Sequence, residues 1–137
     1  MSTPPAVTAV NGATAYVVNL RDPQGHQWLA DEPLESGGGS QGPSPTQLLL
    51  SSLGACTAMT VRIFAARKGW PLTGAEVQLE FNPEGSPAEG NDIRRTITLR
   101  GDLSPEQRER LLDVANKCPL HRILTGRIRI RSSLTPP

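Results

Sequence analysis

One segment constrains the fold more than any other. Ser44-Pro45-Thr46-Gln47 has the form of a capping box with proline at the first helical position. Apolar and small residues follow through Phe64, Ala65 and Ala66. Arg67-Lys68-Gly69 then sets positive charge and glycine where a helix C-terminus favours them, and Trp70-Pro71 cannot continue the helix. The pattern therefore predicts one long helix beginning at Pro45. Its side chains are apolar or small almost all round until Arg62, so it is expected to be buried on most faces. A chain of 137 residues, expected to form a single domain over 1–137, rarely hides such a helix alone. A second copy covering one side is the expectation. The uncharged stretch from Ser36 to Val61 is interrupted by Gly37–Gly39, Pro43, Pro45, Gln47, Ser51, Ser52 and Gly54, so no membrane span is expected.

The remaining segments are read around that helix. Residues 7–10 and 13–20 are short β-prone runs separated by Asn11-Gly12, a pair suited to a tight turn, and so predict a hairpin. Gly25 and His26 open a further strand through Ala30, stopped by Asp31-Glu32-Pro33. Leu34 to Pro43 reads as a flexible Gly- and Ser-rich connection. Glu76–Phe81 and Arg94–Arg100 alternate as half-buried strands, with Ile97 and Leu99 inward, across a hairpin loop at 82–92. Ser104-Pro105-Glu106-Gln107 is a second capping box. Its helix puts Leu111, Val114, Ala115 and Cys118 on one face, with Pro119 expected to end it. Arg127-Ile128-Arg129-Ile130-Arg131 reads as a last strand, two isoleucines in and three arginines out. Strands, long helix, strands, helix and strand give an α+β fold with a mainly antiparallel sheet, not alternating βαβ units.

Few function classes survive this reading. Fourteen basic residues against 13 acidic ones give a net charge of +1, which does not favour nucleic acid or an anionic membrane as partner. The outward arginines of the last strand are explained as a solvated face, with few aromatic residues for base stacking. Gly37-x-Gly39-x-x-Gly42 matches a dinucleotide fingerprint as a string, but no strand directly precedes it and Pro43 follows it, so the match is rejected. The N-terminus lacks a basic start and an apolar run, and two cysteines cannot staple a secreted scaffold. A cytoplasmic protein with reduced thiols is expected.

Those two thiols, Cys56 in the long helix and Cys118 on the inward face of the second, admit three readings. They can be inert core residues. They can join His121 and His26 around a metal, although no C-x-x-C or H-x-x-x-H pairing exists. Or they can be a redox pair. A thiolate attacks the O–O bond of a peroxide and becomes a sulfenic acid, and a second thiol condenses with it to a disulfide. The attacking thiol needs a nearby cation, and apolar surroundings favour organic hydroperoxides over hydrogen peroxide. No metal, haem or flavin is required.

Gly42–Thr60, with the sequence GPSPTQLLLSSLGACTAMT, resembles the signature helix of the OsmC/Ohr family, the osmotically inducible and organic hydroperoxide resistance proteins. Arg67-Lys68-Gly69-Trp70-Pro71-Leu72 and Lys117-Cys118-Pro119-Leu120-His121-Arg122 match as well, and His26–Pro33 is more similar to the OsmC-like branch. The resemblance spans roughly residues 15–131. It implies an intertwined α+β homodimer with the long helices at its centre and active sites at the subunit interface. It also implies Cys56 as the peroxidatic and Cys118 as the resolving cysteine, with an organic hydroperoxide as substrate and a dithiol, lipoyl-linked in one form, as reductant. Two positions depart from the pattern. The family's peroxidase branches carry a glutamate where this chain has Thr46, ten residues before Cys56; there it orients an arginine that stabilises the thiolate. A threonine cannot hold a guanidinium by a bidentate charged pair. Arg21 is the only basic residue before the helix, and Arg62, Arg67 or Arg122 are the candidate substitutes. His121 replaces a small polar residue, and could bond a thiol, give a proton to the leaving alkoxide, or cap the helix end. The competing functions on the same fold are a non-enzymatic, dimeric small-molecule-binding protein and a redox sensor.

Overall fold

The computed structural model describes residues 3–137. They fall into two compact units, Met1–Ser51 and Ser52–Pro137. The first contains a three-stranded antiparallel sheet, β1 (Thr8–Asn11), β2 (Val18–Arg21) and β3 (Gln27–Ala30), in that spatial order. The hairpin is present, but Asn11-Gly12 is not its turn. Asn11 still pairs with Val18, so the connection is the longer segment 12–17, with Ala15 at positive φ. The β2–β3 turn is tied by Asp22, whose Oδ1 accepts from the backbone N–H groups of Gln24 and His26, and by Gly25 at φ 97°.

The Gly- and Ser-rich connection is built rather than flexible. Pro33 leads into a short 3-10 turn, Leu34–Ser36. Buried Asp31 then gathers the chain around its carboxylate: Oδ1 accepts from Glu32 N–H at 2.7 Å, and Oδ2 from Gly39 at 3.1 Å and Gln41 at 3.0 Å. Gly38 passes so close to Glu32 that a Cβ there would lie 2.0 Å from the Glu32 carbonyl oxygen. The glycines serve close backbone approach here, which a compositional reading takes for looseness.

Helix α1 (Pro45–Lys68) begins and ends as its sequence dictates. Ser44 N–H donates to Gln47 Oε1 at 2.9 Å while Gln47 N–H donates to Ser44 Oγ at 3.2 Å, completing the capping box. Gly69 follows at φ 70°. Length and apolar composition alone would let α1 cross a membrane, but its second half is a packing surface of a folded domain. In the second unit, β4 (Leu72–Phe81) and β5 (Ile93–Gly101) pair antiparallel with Val77 opposite Ile97 and Leu79 opposite Arg95. The core joins Val61 and Ala65 of α1, Leu72, Leu103, and Leu111, Val114 and Ala115 of α2 (Pro105–Ala115), with Phe64, Trp70, Ala75, Ile97 and Leu99 against it. The second capping box closes α2 at Ser104 and Gln107.

Two expectations are corrected and one is narrowed. Within a single copy α1 buries only Leu53, Thr57, Val61 and Ala65, spaced by four along one narrow stripe. Met59 and Ile63 remain exposed, because this unit offers one hairpin and one helix face, enough to cover a single stripe. Pro119 starts a helix instead of ending one. Helix α2 stops at Ala115, and Cys118 is the N-cap of a short helix α3 (Pro119–Thr125), where proline's missing N–H is harmless. The inward burial expected of Leu111, Val114, Ala115 and Cys118 holds across that break. Residues 127–131 form no strand. Alternation prepares a segment for a sheet, but a strand needs a hydrogen-bonding neighbour, and Ile128 and Ile130 stay exposed.

Candidate active site

The two cysteines reach one place from distant parts of the sequence. Cys56 stands on α1, half-buried, with Thr60 Oγ1 4.0 Å from its sulfur. Cys118 is completely buried where α2 hands over to α3, and both thiols are free. Between them in sequence sits Thr57, also fully buried. Its hydroxyl donates to the Leu53 carbonyl at 2.7 Å, and its oxygen lies 4.0 Å from the Cys118 sulfur.

The cation of this site is Arg95, which none of the sequence candidates anticipates. From β5 it donates through Nη1 to Thr57 Oγ1 at 3.0 Å, and through Nη2 to Asn116 Oδ1 and His121 Nδ1, both at 2.9 Å. All three partners are neutral acceptors, and among the described residues no carboxylate lies within ion-pair distance of it. The sequence did hold a signal. Arg95 shares the parity of Ile97 and Leu99, so an alternating strand that points those two inward points Arg95 inward too.

The charge of Arg95 reaches both neighbours. Burial pushes the Cys118 thiol up, yet its pKa is lowered overall. The opposing causes are the His121 backbone N–H, which donates to the sulfur at 3.3 Å, the side-chain contacts of Cys56 and Thr57, and the field of Arg95. His121 is held below the usual imidazole range by burial and by Arg95. A guanidinium only donates, so His121 Nδ1 must accept, and the neutral ring carries its proton on Nε2. The imidazole also lines a cavity of about 420 Å³. Arg95, Asn116, Asn91, Asp92 and Thr125 line it together with the apolar Leu53, Ile93, Ile97, Leu112 and Leu124. The cavity therefore has one polar side and one apolar side.

The other candidates are engaged elsewhere. His26 is a turn residue, its Nδ1 2.7 Å from Asp22 Oδ2 and its ring largely exposed. Arg62 donates through Nη1 to the Leu72 carbonyl and so ties α1 to the start of β4. Arg21, Arg67 and Arg122 are exposed, as is Thr46 in the first turn of α1.

Comparison with known proteins agrees with this architecture. No curated protein sequence matches the chain. Among solved structures, an OsmC-like protein from Mycoplasma pneumoniae superposes with a TM-score of 0.76 at 23% identity, covering 92% of this chain and 90% of its own. An organic hydroperoxide resistance protein from Legionella pneumophila gives 0.68 at 20%, covering 90% of each chain. The organic hydroperoxide resistance protein OhrB of Bacillus subtilis gives 0.62 at 21%, covering 90% of this chain and 92% of its own. At these identities the likeness is one of fold. The family model described as OsmC-like protein matches residues 37–133. With the α+β architecture, that match places the chain in the OsmC-like protein family.

Proposed function

We propose that this chain, as one OsmC-like domain, is a thiol-dependent peroxidase that reduces organic hydroperoxides through a Cys56 sulfenic acid and a Cys56–Cys118 disulfide. The observation that carries the reading is the convergence of two free thiols, 62 residues apart in sequence, beside a half-buried arginine that, among the described residues, has no carboxylate within ion-pair distance. The names of the structural neighbours, organic hydroperoxide resistance proteins among them, support the same substrate class.

Each group then has a chemical task. Cys56, the sulfur with access to solvent, attacks the terminal oxygen of ROOH. The O–O bond breaks, the sulfur becomes a sulfenic acid and the alkoxide leaves. The alkoxide takes up a proton at the cavity wall, where the Nε2–H of neutral His121 can pass one on and is refilled through solvent by the proton Cys56 lost on ionising. Cys118 attacks the sulfenic sulfur, water departs, and the disulfide protects Cys56 from over-oxidation. A dithiol, lipoyl-linked in one form, returns the pair to the reduced state. Arg95, fixed by Thr57 rather than by a glutamate, is the cation of the pair, and its field falls on Cys118. The protein is taken to be cytoplasmic and to work as a homodimer. Met59 and Ile63 on α1, together with the unpaired alternating segment 127–131, are the surfaces a second copy would cover.

Turnover with cumene hydroperoxide and dihydrolipoamide tests the reading. Cys56→Ser is expected to abolish peroxide consumption, while Cys118→Ser allows one turnover and then accumulates sulfinic acid on Cys56. Full multi-turnover activity in Cys56→Ser overturns the assignment. A single stoichiometric oxidation without turnover points to redox sensing on the same pair.

A further inference from the structure

We propose that the Cys56–Cys118 disulfide is polarised: the reducing thiolate attacks the Cys56 sulfur, and Cys118 is the sulfur that leaves. This rests on the disulfide of the preceding section but not on the identity of its oxidant. Thiol–disulfide exchange needs an open approach to the attacked sulfur and stabilisation of negative charge on the departing one. The two demands fall on different cysteines here. Cys118 has no exposed surface, so no external thiol reaches it, whereas Cys56 is only partly buried on α1.

The stabilising groups converge on the other sulfur. The His121 backbone N–H points at Cys118 Sγ from 3.3 Å. Arg95 is held on that side by its bond to Thr57 Oγ1, and Thr57 itself lies 4.0 Å from the same sulfur. The single Thr57 proton is directed at the Leu53 carbonyl, so Thr57 acts mainly by fixing the guanidinium. Arg95 is therefore a positioning and electrostatic residue for the leaving group. A direction also follows for the whole exchange. As the first thiolate of the dithiol bonds to Cys56 Sγ, the Cys56–Cys118 bond breaks and its electron pair stays on Cys118. The second thiol of the reductant loses its proton and attacks the mixed disulfide at the reductant's own sulfur. Cys56 is released reduced, the reductant leaves as a cyclic disulfide, and two electrons and two protons have passed to the protein.

The test needs no hydroperoxide. The disulfide is formed with diamide and opened with 2-mercaptoethanol, a monothiol that cannot cyclise. Acid quenching at short times and peptide mass mapping then locate the adduct. The expected result is at least tenfold more adduct on Cys56 than on Cys118. Arg95→Gln is expected to slow opening about tenfold and Arg95→Lys to restore most of the rate, which a loss of packing alone would not do. Adduct on Cys118, an even distribution, an opening rate unchanged in folded Arg95→Gln, or failure of diamide to join the two cysteines would each overturn the proposal. The map on the unsubstituted protein stands even if Arg95→Gln does not fold. Peroxidase turnover with adduct on Cys118 refutes only the polarity. A Cys56 adduct in a protein inert to hydroperoxide refutes only the peroxidase.

Discussion

Asp31 and Thr57, the two buried polar side chains among the described residues, each lie at the heart of a polar cluster, and the clusters are built on opposite principles. Around Asp31 a negative charge is met by fixed backbone N–H groups of Glu32, Gly39 and Gln41. Its pKa is lowered, first by the Gln41 N–H, and with those three donors in place the carboxylate organises a loop. Around Thr57 the charge is the guanidinium of Arg95, and every partner is neutral. Among the described residues no carboxylate lies within ion-pair distance of it, so its field reaches a sulfur and an imidazole. A buried charge answered by opposite dipoles is scaffold; one answered only by neutral acceptors is a reagent waiting for a transient anion.

The largest effect on folding is expected on the scaffold side. Asp31→Ala orphans three backbone donors at once. It should lower the thermal midpoint clearly and speed hydrogen exchange at Gly39 and Gln41, with the ionisation of Cys118 keeping its pH midpoint. If that midpoint moved as well, the two clusters would not be the separate devices described above.

Arg95→Gln comes next and should do the reverse. The expected loss of stability is about 1 kcal/mol, because the groups it leaves are neutral and buried Thr57 keeps its bond to the Leu53 carbonyl. Ionisation of Cys118 should instead shift to higher pH. Thiolate absorbance across pH in a Cys56→Ser background, which needs no reagent to reach the buried sulfur, measures it. The neighbouring Arg94 sharpens the contrast. It faces outward between Glu80 and Glu84, and Arg94→Gln should change stability by less than about 0.5 kcal/mol and leave the thiols alone.

A smaller effect follows from His121. Its folded pKa is lowered, so the unfolded chain binds a proton first as pH falls below about 6.5. Stability should therefore decline from that point downwards, until the folded ring also titrates, and His121→Gln should flatten this part of the profile. Urea unfolding at a series of pH values checks the slope.

How legible all this was in the sequence differs along the chain. Both capping boxes, the alternating hairpin and its loop at 82–92 were readable, since each depends on neighbours within a few residues. Cys56 and Cys118 were readable as inward thiols because helical spacing put them there. The ordered loop at Asp31 was not, as its bonds join residues 8 and 10 positions apart through backbone N–H groups that carry no compositional mark. Arg95 was half-readable. Strand parity placed it inward, but its partners Thr57, Asn116 and His121 come from other elements. The candidates Arg21, Arg62, Arg67 and Arg122 therefore did not include it. The segment 127–131 was misread because alternation records readiness for a sheet and says nothing of the neighbour a strand requires.

The central claim is that Cys56 and Cys118 react as a pair with an organic hydroperoxide although Thr46 stands where the family's peroxidases carry glutamate. The most direct measurement adds one equivalent of cumene hydroperoxide to the reduced protein and follows intact mass and free-thiol count. Prompt loss of both thiols, with a cross-linked peptide pair containing Cys56 and Cys118, is the result this account expects. Survival of both thiols in excess hydroperoxide would contradict it, and would leave an OsmC-like fold whose cavity serves a different purpose.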